Sequence, residues 1–93
     1  MSKYELTVIL DGKVTPAKIK ALGDRMSSVI SLLKGKVEKT DEWGKRDLSG
    51  KIGKIETGYY RYMELELDAG NVKKLTDKLR TDEDIIRYLL LKV

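Results

Sequence analysis

The chain has 93 residues and a formal net charge of +4, from 19 basic and 15 acidic side chains. It contains no cysteine and no histidine, which excludes disulfides, thiolate or imidazole metal ligands and a histidine general base. This length predicts a single domain over residues 1–93 with one modest core, and the mild basic excess suits an RNA partner.

The first predicted elements are a strand and a helix. Apolar residues alternate over residues 4–10, which is typical of a half-buried strand with Ile9 on the side away from the core. Thr15 followed by Pro16 is a strong helix start signal, because the threonine caps the first turn and proline fits the first helical position. We expect Gly35 to end this helix as its C-terminal cap.

The second half predicts three further elements after an extended stretch. Residues 36–47 are expected to be a second extended segment, and residues 48–57 a loop or irregular extended chain. Clean alternation over residues 59–67 predicts a third strand. A short helix begins at residues 68–71, and residues 85–93 form the last strand.

The resulting order, βαββαβ, predicts the α+β class. Two helices with one apolar stripe each must cover one face of a four-stranded sheet. Right-handed crossovers then favour a ferredoxin-like sandwich, with an antiparallel sheet in the order 4-1-3-2. The other sheet face stays open, and Glu64 and Glu66 on it would repel phosphate. We therefore predict that this face binds a partner protein through Tyr60, Tyr62, Ile9, Leu89 and Leu91.

The segment from Glu42 to Tyr60 is the most informative part of the chain. Its basic residues outnumber Asp47 by 4 − 1 = +3 within residues 45–54, among glycines that allow a strand-turn-strand. This favours contact with a polyanion, although a solvated hairpin is the alternative that the residues alone leave open. Trp43 is expected to pin the strand to the helix layer rather than to stack on a base. The predicted RNA contacts are Lys45, Arg46, Lys51 and Lys54, with Lys3, Arg87 and Lys92 as further contributors.

Three motifs relate the chain to a known family. They are Trp43-Gly44-x-Arg46-x-Leu48, then Gly58-x-Tyr60, and finally Asp84-Ile85-Ile86-Arg87-Tyr88. With them, the chain resembles the bacterial small-subunit ribosomal protein six family nearly end to end. The resemblance implies a structural protein of the small ribosomal subunit. It also implies binding to the central domain of small-subunit ribosomal RNA together with ribosomal protein eighteen.

Two other functions remain as alternatives. The first is a stand-alone binder of single-stranded RNA, similar to an RNA-recognition motif, which would stack bases on the open sheet face. The second is an acylphosphatase-like enzyme, disfavoured because the loop over residues 11–14 lacks the arginine this chemistry needs. The acidic residues 82–84 are interpreted as a solvated turn. We predict no catalysis, cofactor, metal or small-molecule substrate, no membrane partner, and a cytoplasmic location.

Overall fold

A four-stranded antiparallel sheet with two helices on one face builds the fold, as the sequence predicts. The computed structural model describes the backbone of residues 1–93 and all side chains except those of Ser49, Lys51 and Ile52. In chain order the elements are β1 (Ser2–Asp11), α1 (Pro16–Leu32), β2 (Lys36–Ile52), β3 (Ile55–Leu67), a 3₁₀ turn (Ala69–Asn71), α2 (Val72–Thr81) and β4 (Arg87–Lys92). The strand order β2-β3-β1-β4 is the predicted order counted from the opposite edge.

The core lies between the helices and one face of the sheet. Alternate residues of β1 and β3 point into it, and both helices contribute the apolar stripe that their 3.6-residue period places on one side. The Oγ1 of Thr15 accepts a hydrogen bond from the Lys18 amide at 3.3 Å, which confirms the predicted start of α1. The buried apolar residues are Tyr4, Leu6, Val8, Leu10, Leu22, Met26, Ile30, Met63, Leu65, Leu67, Leu75 and Leu79.

The end of α1 differs from the prediction in one residue. Lys34, not Gly35, adopts the left-handed conformation with φ of 61°. The Gly35 amide donates to the Ile30 carbonyl at 2.8 Å and the Lys34 amide to the Ser31 carbonyl at 2.9 Å, which is the Schellman pattern. Gly35 serves close packing instead, because a Cβ there would lie 2.6 Å from the Glu66 carbonyl oxygen.

The stretch predicted as a loop or irregular extended chain, residues 48–57, is largely strand. β2 continues to Ile52 and meets β3 after a turn at Gly53 and Lys54, with Ile52 opposite Ile55. Gly53 has φ of 60°, a conformation that glycine adopts without steric cost. The loop alternative was wrong, whereas the irregular extended alternative agrees with the register shift between Asp47 and Ile52. Cross-strand pairing stabilises a segment whose own residues carry little strand preference. The result is a long β-hairpin.

Candidate binding surfaces

The outer side of the sheet, here called the open face, carries a groove of about 710 Å³. Its position follows from strand alternation, since every second residue of β1, β3 and β4 points away from the helices. Leu89 and Leu91 are 56% and 49% exposed there, an unusual state for two leucines in one strand. All five residues that the sequence assigns to a partner line this groove, namely Ile9, Tyr60, Tyr62, Leu89 and Leu91.

Trp43 also lies on the open face, so the prediction that it pins β2 to the helix layer was wrong. Its indole stacks on the Tyr62 ring with centroids 5.0 Å apart and planes 6° from parallel. The cause is a β-bulge earlier in β2: Val37 lies opposite Leu65 but Lys39 opposite Glu64, so Glu42 falls opposite Arg61 on the helix side and the next residue, Trp43, on the open face. A bulge reverses the alternation locally, and strand periodicity alone could not reveal it.

Arg46 joins the same aromatic cluster. Its guanidinium carbon lies 5.4 Å from the Trp43 ring centroid and 5.9 Å from that of Tyr60, within the range of cation–π attraction. Arg46 is opposite Gly58, whereas its neighbour Lys45 is opposite Tyr59 on the helix side of the sheet. The two adjacent basic residues therefore belong to different surfaces.

Two carboxylates mark one end of the groove. Glu5 and Glu64 lie directly opposite each other on β1 and β3. The Tyr62 hydroxyl lies 2.6 Å from a Glu5 oxygen and 3.0 Å from a Glu64 oxygen, and its single proton can serve one of them at a time. The hydrogen bond to Glu5, with desolvation and the bond to Glu64, raises the pKa of Tyr62 above its usual value.

Glu66 is on the same face and, unlike Glu5 and Glu64, has a lysine of the same chain within ion-pair distance. The Lys3 ammonium lies 4.0 Å from a carboxylate oxygen of Glu66 and 4.0 Å from one of Glu38. Lys3, one of the predicted RNA contacts, is therefore engaged by two carboxylates. Glu5 and Glu64 are in no ion pair among the described side chains, so they are the carboxylates of this face most available to a partner.

The basic hairpin, residues 44–58, projects beyond the strands that cover the core. β1 pairs with β3 as far as Gly58, and the Gly12 amide donates to the Thr57 carbonyl at 2.9 Å, so the hairpin extends past the end of β1 only between residue 56 and its turn at residues 53–54. Lys45 and Lys54 are exposed on this hairpin. The Lys51 side chain, also predicted to contact RNA, lies outside the described residues. The hairpin thus holds exposed cations away from the core.

The remaining predicted RNA contacts are far apart. Arg87 is opposite Ile9 at the hairpin end of the groove, whereas Lys92 is opposite Tyr4 at the other end of β4. Five residues of strand separate them by about 17 Å. Lys3, next to Tyr4, shares the Lys92 end. The structure therefore groups Lys45, Arg46, Lys54 and Arg87 at the hairpin end and separates Lys3 and Lys92 from them.

The acidic turn at residues 82–84 is not simply solvated, which corrects the sequence interpretation. The Arg25 guanidinium donates to both carboxylate oxygens of Asp82 and to one of Asp84, each at 3.0 Å. The bond to Asp82 is the main cause of the raised pKa of Arg25. Asp82 has only 12% of its side chain exposed, so the pair ties α1 to the turn before β4. Nothing local in the sequence links residues so distant along the chain.

Among the described residues, no group of three or more acidic side chains could hold a metal ion. No helix in the described part of the chain is long and apolar enough to cross a bilayer. The groove has an apolar, aromatic lining and the basic hairpin carries exposed cations, so both have the chemistry of macromolecular contact.

Comparison with known proteins decides the family. A family model described as "Ribosomal protein S6" matches residues 3–92. The chain belongs to the ribosomal protein S6 family. It is 34% identical over 93 residues to small ribosomal subunit protein bS6 of Alkaliphilus oremlandii, covering 100% of this chain and 98% of the relative. It is 33% identical to the bS6 of Trichlorobacter lovleyi, covering 100% and 76%.

Family membership confirms several predictions. This S6-family chain is a protein of the small ribosomal subunit, located with the ribosome in the bacterial cytoplasm, and its family consists of ribosomal proteins rather than enzymes. The RNA contacts and the protein partner are finer statements that family membership alone does not supply.

Solved structures support the fold. The crystal structure of 30S ribosomal protein S6 from Thermotoga maritima superposes with a TM-score of 0.91 at 26% identity, over 99% of this chain and 87% of that one. The P2 domain of the chemotaxis kinase CheA, also from Thermotoga maritima, gives a TM-score of 0.65 at 16% identity over 99% and 98%. The second likeness concerns the fold alone. Function therefore has to be argued from the surfaces.

Proposed function

We propose that this S6-family chain binds the central domain of small-subunit ribosomal RNA through the basic hairpin, and ribosomal protein eighteen through the open face. The observation that carries the proposal is the separation of the two chemistries. Exposed cations lie on a projecting hairpin, and an apolar groove with two outward carboxylates lies on the sheet.

The hairpin has the properties that phosphate contact requires. Lys45 and Lys54 are exposed, and the described ion pairs engage neither of them. A projecting β-ribbon can enter a groove of RNA or follow its backbone without a clash from the core. Each lysine that neutralises a phosphate releases counterions, which is the main source of affinity in such contacts.

The open face has the properties of a protein-binding surface. Aromatic rings and aliphatic side chains, with an arginine among them, are the residues that dominate protein interfaces. Glu5 and Glu64 at one end would repel RNA phosphates and attract a basic protein. Ribosomal protein eighteen is the partner that the family resemblance implies.

One observation favours the alternative, a binder of single-stranded RNA. Trp43, Tyr60 and Tyr62 together resemble a base-stacking platform, and Arg46 adds positive charge. However, Trp43 and Tyr62 are stacked on each other rather than side by side, so the ring face between them is not available to a base. The carboxylates next to Tyr62 also oppose phosphate. The protein partner is therefore the better assignment of this face.

The RNA half of the proposal is tested by the salt dependence of binding. The change is Lys51→Ala with Lys54→Ala, measured as the slope of log affinity against log salt on a central-domain RNA fragment. Each lost phosphate contact should reduce the slope by about 0.9, by analogy with duplex DNA, so the double variant should be shallower by up to about 2.

A matched control removes the same charge elsewhere. Lys74→Ala with Lys78→Ala alters two exposed lysines on α2, on the helix side of the sheet. We expect that slope to stay close to that of the unmodified chain. Equal slopes for the two double variants would show that the hairpin does not carry the RNA contact.

A further inference from the structure

The groove of the open face is electrically polarised along the strands. At the hairpin end, Arg87 lies opposite Ile9, and Arg46 rests against the Trp43 and Tyr60 rings. At the other end are the two outward carboxylates, Glu5 and Glu64. The first and last residues of β1 in this groove, Glu5 and Ile9, are four residues apart, or about 13 Å along the strand.

The acidic end is not neutralised within the described chain. Lys39 is in register with Glu64, but its ammonium lies 3.5 Å from Asp41 and forms its ion pair there. The Lys3 ammonium forms its ion pairs with Glu66 and Glu38. No described ion pair includes Glu5 or Glu64, whose hydrogen bonds come from the one proton of Tyr62.

The basic end is similarly unbalanced. Arg87 is exposed, and neither it nor Arg46 is in an ion pair among the described side chains. Between the ends, Thr7 of β1 lies opposite both Tyr62 and Leu89, so the lining there is mainly apolar and contains one hydroxyl-bearing threonine. The three zones thus follow one another as basic, apolar and acidic.

We infer that the groove takes a segment of ribosomal protein eighteen in a single orientation. The segment carries a Lys or Arg over Glu5 and Glu64, aliphatic side chains over the apolar zone, and an acidic group near Arg87 about 13 Å away. This inference rests on the proposed function, because it specifies which chemistry of the partner the open face recognises. Charge complementarity fixes the direction, since the reversed segment would place like charges together at both ends.

A second copy of this chain fits the face less well. Two antiparallel copies would match opposite charges, but each presents the same groove, so neither offers the convex surface that would fill the other. RNA fits less well because phosphates would meet Glu5 and Glu64. A convex protein segment satisfies both shape and charge.

The test uses calorimetric titration of the full chain with purified ribosomal protein eighteen from the same bacterium. Glu5→Gln with Glu64→Gln removes the charge but keeps the volume and an oxygen acceptor for Tyr62. We expect the dissociation constant to rise about tenfold and its salt dependence to become shallower, as for lost interfacial charge pairs. Arg87→Gln should weaken binding at the other end.

The matched control is Glu66→Gln, on the same strand and face but already paired with Lys3. We expect its affinity to stay within about twofold of the unmodified chain. In double-mutant cycles, Glu64 should couple to a basic residue of the partner and Arg87 to a different, acidic residue. If the double variant fails to fold, the same titration of the single variant Glu64→Gln tests the inference.

The outcomes separate this inference from the proposed function. If Tyr60→Ala weakens the complex but Glu5→Gln with Glu64→Gln does not, the open face still binds the partner, and the inference that charge fixes the orientation is refuted. If neither weakens it, the partner half of the proposed function is refuted as well. Sedimentation of the chain alone as a dimer, broken by the same glutamine substitutions, would assign the face to a second copy and refute the inference.

Discussion

Replacing Trp43 by alanine should lower the free energy of binding to the protein partner more than it lowers the free energy of unfolding. Within the chain, the indole contributes its stack on Tyr62, worth about 0.5–1.5 kcal/mol, and its contact with Arg46, worth about 0.5–1 kcal/mol. Trp43 is 41% exposed, so the buried part of its surface adds a further loss of burial free energy. We expect the free energy of unfolding to fall by about 2–3 kcal/mol. Binding should lose about 2–4 kcal/mol, because a large aromatic residue in a docking groove is a typical hot spot.

The assay is urea unfolding together with calorimetric titration against ribosomal protein eighteen. Leu32→Ala is the matched control, because Leu32 is 82% exposed at the end of α1, away from the open face. It should change partner affinity by less than about twofold. Because Trp43 is the one tryptophan of the chain, its fluorescence should also change when the partner covers the groove. Equal partner affinities for the two variants would refute the assignment of this face.

Three further substitutions test the fold and its electrostatics. Gly35→Ala should destabilise by about 1–3 kcal/mol in urea unfolding, because its Cβ would meet the Glu66 backbone oxygen, whereas Gly70→Ala, with open space at its Cβ, should have little effect. Arg25→Ala should cost about 1–2 kcal/mol, since it leaves the mostly buried Asp82 without its partner; an unchanged midpoint would show that the pair is unimportant. Tyr62 has a raised pKa, so its neutral form is favoured in the folded state. That stabilisation is complete below pH 10 and is lost as the pH rises through the folded value. An absorbance titration of the chain minus that of Tyr62→Phe should therefore show one phenol ionising above pH 10, and ionisation at the ordinary pH would refute the hydrogen bond to Glu5.

The sequence predicts the fold well where local and global signals agree. Strand alternation places Ile9, Tyr60 and Tyr62 on the open face because β1 and β3 are regular and mutually paired. The start of α1 is predicted correctly because the Thr15 cap is a local interaction. These features depend on neighbours within a few residues, which a single sequence displays.

The features that the sequence does not predict depend on contacts between distant residues. The bulge that turns Trp43 outward is defined by its register against β3, and the strand over residues 48–52 by pairing across the hairpin. The Arg25–Asp82 pair depends on the approach of α1 to the turn after α2. For the same reason, the sequence does not reveal that Lys92 is far from the hairpin, because this distance depends on the register of β4 against β1.

The measurement that tests the central claim most directly is a titration of a central-domain RNA fragment with this chain, alone and with ribosomal protein eighteen. At about 0.15 M salt, the chain alone should bind with a dissociation constant of about 10⁻⁴–10⁻⁶ M, the range of non-specific electrostatic contact. With the partner present, we expect binding at least about tenfold tighter, and RNA should tighten the protein–protein contact by the same factor. Nanomolar binding by the chain alone, unchanged when the partner is added, would contradict the account and identify an autonomous RNA-binding domain.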